Sequence, residues 1–254
     1  EIQNKVRAFF KETSCEKKIV ICDPSLNFLF EEATDFIALP DNLKINLLPQ
    51  ALGKQFHDIS YYNKLIDWTI DQFEPDELLK IPYDLDCSDR WVLEEDNIIF
   101  KSSIKEWEPH IVVSARDVPD RGSQKNWRHD KWDELVEKVY ENFKLPIISV
   151  GLPNDTYVPR GTTAITCDRN DYLETAVSCF NSALFSFSSN SGTTHLSLMS
   201  GCPTFSWGQG DNLRQRMEED TNPHRVPCKF LNTGWDPDLN YIYKTLTEWY
   251  EELV

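Results

Sequence analysis

The sequence predicts an α/β protein of two domains with parallel sheets, and three observations carry that prediction. Short apolar runs suited to buried strands alternate with segments of helical spacing from residue 110 onward. The connections between them are short, as in βαβ units. Residues 183–208 (ALFSFSSNSGTTHLSLMSGCPTFSWG) read in order as buried strand, small polar turn, short helix and second strand.

The elements follow in chain order. Residues 110–114 (HIVVS) form a strand, followed by a basic loop over 115–128. A helix over 130–143 has Trp132, Leu135, Val136, Val139, Tyr140 and Phe143 at spacings of three and four, with Asp130 as N-cap. Residues 146–150 and 163–167 are the next two strands. A helix capped by Asn170 or Asp171 then presents Leu173, Ala176, Val177 and Phe180 on one face. Residues 183–187 are a strand and 193–199 a helix, with Gly201 at its C′ position and Pro203 beyond. Residues 203–207 make a further strand. A last helix over 237–253 buries Leu239, Ile242, Tyr243, Leu246 and Trp249.

In the N-terminal part, 17–22 (KKIVIC) and 36–39 (FIAL) read as strands and 61–73 as a helix, with a short apolar run at 98–100. The domains expected are 1–108, small and on the acceptor side, and 109–236, the ligand-binding domain. Residues 237–254 are expected to form a helix packing back on them. In such proteins the ligand occupies the crevice at the carboxyl ends of the strands. Asp23, the basic loop and the 190–195 turn all belong to that edge.

Composition narrows the classes. The 254 residues are 40% hydrophobic and include eight Trp, enough for a substantial core. Seven scattered cysteines without a C-x-x-C pair argue against a disulfide framework or a zinc knuckle and for a reducing, cytoplasmic setting. No apolar run has the length of a membrane span. The chain opens on Glu1 rather than Met, which predicts a processed chain or a domain of a longer protein. With 42 acidic against 26 basic residues, net charge −16, most of the surface repels nucleic acid. Yet Arg116, Arg121, Lys125, Arg128 and Lys131 are concentrated in one stretch, as either a solvated loop or an anion site.

Two motifs resemble those of GT-B glycosyltransferases, most of all the heptosyltransferase-like group, over about residues 110–210. One is Arg116…Lys125-Asn126-Trp127…Lys131-Trp132-x-x-Leu135-Val136. The other is Asn190-Ser191-Gly192-Thr193-Thr194-His195-Leu196 with Gly201-x-Pro203-Thr204 and Gly208, similar to that group's D-[ST]-G-x-x-H-x-A…G-x-P-T…G run. The chain departs from the pattern at Asn190, where the group has Asp, and shows no glycine-rich first loop.

The resemblance implies two Rossmann-like domains facing a crevice, the N-terminal one reduced. It also implies inverting transfer of a sugar from a nucleotide diphosphate sugar to a glycan hydroxyl, with no cofactor and no metal. The diphosphate would be held by Arg116, Lys125 and the helix start at Ser191, Gly192, Thr193 and Thr194. His195 would donate to a phosphate or a ribose oxygen. Uracil or another base would sit near Cys167 and Asn170, and Glu219 would reach ribose or sugar hydroxyls. Asp23, closing the KKIVIC strand, is the expected base, although an Asp before Pro24 equally starts a turn; Asp58 is the reserve. Asp84-Leu-Asp86 matches a metal-binding string but reads better as a solvated acidic loop. The rivals are a nucleotide-sugar 2-epimerase of the same fold and a non-catalytic nucleotide-sugar-binding domain.

Overall fold

The structure is a computed structural model. It describes residues 10, 14, 16–22, 24–30, 33–38, 69–73, 75, 99–102, 104–119, 122–152, 154–165, 171–210 and 212–253. The chain divides into two compact units, residues 1–90 and 91–254. The sequence puts the boundary at 108/109, whereas Phe100, Ser102 and Lys105 are tied to the second unit. Phe100 N–H donates to the Met199 carbonyl at 2.7 Å. Ser102 N–H donates to Asn181 Oδ1 at 3.0 Å, and Ser178 Oγ donates to the Lys105 carbonyl at 2.7 Å.

In the first unit, β1 (Ile19–Cys22) and β2 (Asp35–Ala38) pair in parallel, with Ile19 opposite Asp35 and Cys22 opposite Ala38. A 3-10 turn, Pro24–Leu29, follows β1. Phe10, Val20 and Phe30 form a small core there, flanked by Cys22, Leu26, Leu29 and Ala33. Of the helix expected over 61–73, the described part, 69–73, is helical.

The second unit holds the strands β3 (His110–Arg116), β4 (Ile147–Ser149), β5 (Thr156–Tyr157), β6 (Thr163–Ala164), β7 (Ala183–Ser189), β8 (Thr204–Gly208) and β9 (Cys228–Asn232). Their order is β6-β4-β3-β7-β8-β9, all parallel, with β5 antiparallel against the end of β3. The chain lays down β3, β4 and β6 in one direction. It then returns to the middle and lays down β7, β8 and β9 in the other. The order therefore reverses between β3 and β7, and ligands of open α/β sheets bind at such a reversal.

Helices cover both faces. α1 (His129–Phe143) and α5 (Leu239–Leu253) pack on one face through Trp132, Leu135, Val136, Val139, Ile242, Leu246 and Trp249. They meet the strand residues Ile111, Val113, Phe185, Phe187, Phe205 and Trp207. Trp127, Trp132 and Trp207 form a triangle of rings with centroids 5.1 to 5.2 Å apart. On the other face, α2 (Tyr172–Ser182) buries Ala176, Cys179 and Phe180 against Val112, Ile148 and Val150.

α3 (Gly192–Met199) follows β7, and its end conforms to the sequence signal. Gly201 adopts φ +76°, where a Cβ would be strained. Its N–H donates to the Leu198 carbonyl and that of Cys202 to the Ser197 carbonyl, closing the helix in a Schellman motif. α4 (Leu213–Gln215) runs into a π-helical turn, Arg216–Asp220.

The N-cap of α1 is Arg128 rather than Asp130, which lies in the first turn and pairs with Arg128 at 2.5 Å. Burial pushes the thiols of Cys179 and Cys202 up to about 12, as expected of core residues rather than reactive ones. Among the described residues no helix is long and apolar enough to cross a membrane.

Because Trp132 is fully buried in the ring triangle, Trp132→Ala should cost about 3–5 kcal/mol of stability, measured by urea unfolding. A loss below about 1 kcal/mol would mean that the triangle does not hold α1 to the sheet.

Candidate functional site

At the reversal, the carboxyl end of β3 carries Arg116 and the carboxyl end of β7 leads into Asn190 and α3. Ser114 pairs with Ser188, and Arg116 and Asn190 each lie two residues further along. Strand alternation thus puts both on the face that α3 covers. Ser189 pairs with Trp207 and Gly208 with Asn232, so Gly208 and Asn232 extend the row. A Cβ on Gly208 would meet Trp235 at 2.9 Å and Asn190 at 3.4 Å. Glycine here lets the β7–α3 turn and the loop after β9 close together.

Among the described residues the basic loop separates its cations by partner, Arg121 lying outside them. Arg128 is paired with Asp130, and Lys131 Nζ donates to Asp236 at 2.5 Å and to the Pro237 carbonyl at 3.0 Å. Arg116 and Lys125 have no carboxylate partner among the described residues. The neighbouring acid, Asp117, faces His129 Nε2 at 3.0 Å instead. Arg116 Nε is buried without a hydrogen-bond partner, as are Asn190 Nδ2 and Thr233 Oγ1. Such groups cost stability unless a ligand or water satisfies them. The Arg116 guanidinium has room because residue 122 is glycine at φ +110°; a Cβ there would stand 2.7 Å from Nη2. Lys125 ends a 3-10 turn, Ser123–Lys125, with its Nζ 5.0 Å from the centre of the Trp235 ring. Asn126 pins that loop, accepting from Val118 N–H at 3.1 Å and donating to the Val118 carbonyl at 2.8 Å.

The start of α3 divides the expected phosphate ligands into two kinds. Thr194 is buried and its hydroxyl is committed to the turn: it accepts from Ser191 N–H at 3.1 Å and bonds Ser188 Oγ at 2.9 Å. Its N–H donates to the Ser191 carbonyl. Thr194 is therefore a structural clamp rather than a phosphate ligand. The N–H groups of Gly192 and Thr193 have no partner among the described residues and face outward as helix-start donors. No atom lies within 4 Å of a Cβ placed on Gly192, and its φ is ordinary. The fold itself does not demand glycine there.

His195, one residue further, contacts Thr221 Oγ1 through Nδ1 at 3.2 Å. Burial, with the positive charge of Arg216 beside it, lowers its pKa to about 4. It is neutral at pH 7, so the donation to a phosphate or ribose oxygen that the sequence predicts has a single ring N–H to draw on. Arg216, on the π turn, carries no ion pair or side-chain hydrogen bond among the described residues. Sequence reasoning missed it, because no motif marks that turn. Glu219 is exposed on the same turn.

Asp23, Asp58, Cys167, Asn170 and the Asp84-Leu-Asp86 string lie outside the described residues. Among the described residues no three His, Cys, Asp or Glu side chains are placed to hold a metal ion. Trp127 and Trp207 are core residues, 1% and 0% exposed, and do not line an opening. A groove on the solvent side of α1, lined by Asp130, Glu134, Glu137 and Glu141 with Lys138 and Arg160, has the wrong sign for a diphosphate.

The low pKa of His195 has a consequence for stability. An unfolded histidine takes up its proton near pH 6.5 and the folded one only near pH 4, so stability is lost as pH falls through that window. His195→Gln should lose less stability than the native chain between pH 7 and pH 4. The difference should be at most about 3 kcal/mol by urea unfolding at each pH. Parallel profiles for the two proteins would contradict the burial of a neutral imidazole.

No family model matches the sequence, and no curated protein does. Solved structures do match by fold. ADP-heptose LPS heptosyltransferase II of E. coli is similar with a TM-score of 0.54 and 12% identity, over 98% of this chain and 94% of that one. A family 9 glycosyl transferase from Veillonella parvula matches at 0.44 and 12%, over 92% and 90%. The UDP-GlcNAc 2-epimerase from Methanocaldococcus jannaschii matches at 0.36 and 8%, over 55% of this chain but only 38% of the epimerase. Parallel α/β sheets with this strand order, matched along nearly the whole heptosyltransferase II chain, give this protein a GT-B glycosyltransferase fold of the heptosyltransferase-like kind.

Proposed function

We propose that the protein transfers a sugar from a nucleotide diphosphate sugar to a glycan hydroxyl, with inversion and without a metal. The observation that carries this reading is a pair of cations without a carboxylate partner among the described residues, Arg116 and Lys125, at the sheet end that leads into an open helix start, in a chain of net charge −16. Cations without a carboxylate partner, placed at the reversal of strand order, suit an anionic ligand.

The chemistry follows from that arrangement. The acceptor hydroxyl oxygen attacks the anomeric carbon as the bond from that carbon to the diphosphate oxygen breaks, and the electron pair leaves with the diphosphate. Arg116, Lys125 and the N–H groups of Gly192 and Thr193 meet the charge that develops there. A carboxylate takes the proton from the attacking hydroxyl, and Asp23 is the residue proposed for it.

The double variant Arg116→Ala/Lys125→Ala should weaken nucleoside diphosphate binding at least about 100-fold, since two charge-assisted contacts are removed. Its melting temperature should change little. Isothermal titration with UDP, GDP, ADP, CDP and dTDP measures the first, and unchanged affinity would remove the phosphate site.

Gly192→Val tests the helix start separately. The protein has space for the new side chain, so stability should stay within about 1 kcal/mol while diphosphate affinity falls. Donor binding with no transfer to any glycan acceptor, in the unsubstituted protein, would favour a non-catalytic binding domain.

A further inference from the structure

The hydrogen bonds around Thr221 fix the state of His195. Thr221 follows the π turn, and its N–H and its hydroxyl both reach the Arg216 carbonyl, at 2.9 and 2.8 Å. A carbonyl only accepts, so the single hydroxyl proton of Thr221 is committed to Arg216. At the 3.2 Å contact with His195, Thr221 Oγ1 must then accept, and the proton sits on Nδ1 of the imidazole. A neutral imidazole carries one N–H, so Nε2 is left with a bare lone pair.

That nitrogen has no partner among the described residues, yet it is not among the buried polar atoms left without one. It therefore reaches solvent. The positive charge of Arg216 beside the ring opposes protonation there. The diphosphate of a nucleotide sugar is ionised at both phosphates and offers no hydrogen, so it gives this lone pair nothing to accept. A hydroxyl does.

We infer that His195 recognises a hydroxyl of the bound nucleotide sugar, accepting its hydrogen bond at Nε2, and that Thr221 holds the ring in the tautomer this requires. The inference rests on the nucleotide-sugar reading of the site and changes what His195 does within it. The residue reads the sugar part of the ligand, ribose or transferred sugar, while the phosphates are left to Arg116, Lys125 and the helix start. Thr221 is a positioning residue acting through His195.

Two measurements test it. The first is long-range 15N–1H correlation on the native chain near pH 7, with the His195 signals assigned by their loss in His195→Gln. The expected pattern is a protonated Nδ1 and an unprotonated Nε2, disturbed in Thr221→Val. A proton on Nε2 would overturn the inference whatever the ligand. The second compares inorganic pyrophosphate with UDP, GDP and ADP and their glucose conjugates, in the native chain and in His195→Phe. The variant should bind the best nucleotide or nucleotide sugar about tenfold more weakly, with pyrophosphate affinity within about twofold. An equal loss for pyrophosphate would mean that the histidine serves the phosphates. No loss for any probe would mean that it touches no ligand. If the native chain binds none of the probes, the phosphate site itself fails and the inference falls with it. A wrong tautomer in a chain that does bind them sinks the inference alone.

Discussion

A seam of hydroxyls between β7, β8 and α3 sets everything at the site. Ser186 Oγ lies 2.7 Å from Ser197 Oγ and 3.2 Å from Thr204 Oγ1, and Ser197 Oγ lies 2.8 Å from Thr204 Oγ1. Thr204 also donates to the Cys202 carbonyl at 2.8 Å. All of these residues are buried, in a setting where an unpaired hydroxyl would be costly and a paired one fixes position. Small side chains let α3 lie closer to the sheet than Leu or Ile would allow. One turn nearer the opening, the Ser188–Thr194 contact does the same for the helix start. The free N–H groups of Gly192 and Thr193 stand at the reversal of strand order because this seam leaves the helix one place to be. The same seam explains why adjacent threonines have different fates, one facing outward and the other locked in the turn.

Charge decides what such a helix start can attract. A net charge of −16 disfavours polyanions over most of the surface, with screening beyond about 10 Å at 0.1 M salt. Within that distance, local pairing matters more than the total. Asp130 and Asp236 neutralise Arg128 and Lys131, and Asp117 is drawn to His129. Of the described cations of this loop, Arg116 and Lys125 are left without a carboxylate, an arrangement whose reach matches a small anion better than an extended one.

Much of the fold was legible because buried parallel strands leave short apolar runs and surface helices leave a period near 3.6. The run over 110–114 became β3, the spacing from Trp132 to Phe143 became α1, and Gly201 closed α3. β9 was not read, since Cys228-Lys229 interrupts its apolar character, and the two-residue β5 leaves no pattern at all. The site was legible to the level of the segment. Its finer chemistry depends on contacts between distant residues: which cation a carboxylate takes, and which ring nitrogen a threonine 26 positions away approaches. No local pattern encodes either. Arg216 was invisible for the same reason, as it matters only because a π turn brings it to His195.

Asn190 shows how one residue type conditions the rest. The motif that the turn resembles has Asp at this place. Here the residue stands beside Arg116 in the row at the sheet's end, with Nδ2 buried and unpartnered. A carboxylate in that position would add a negative charge at the strand end next to Arg116. That charge would offset part of the positive charge of Arg116. With asparagine the row of Arg116, Asn190, Gly208 and Asn232 offers only neutral and positive groups. Removing one negative charge here raises the attraction for an anion without adding a new contact. The departure from the motif and the unpaired Arg116 thus act in the same electrostatic direction.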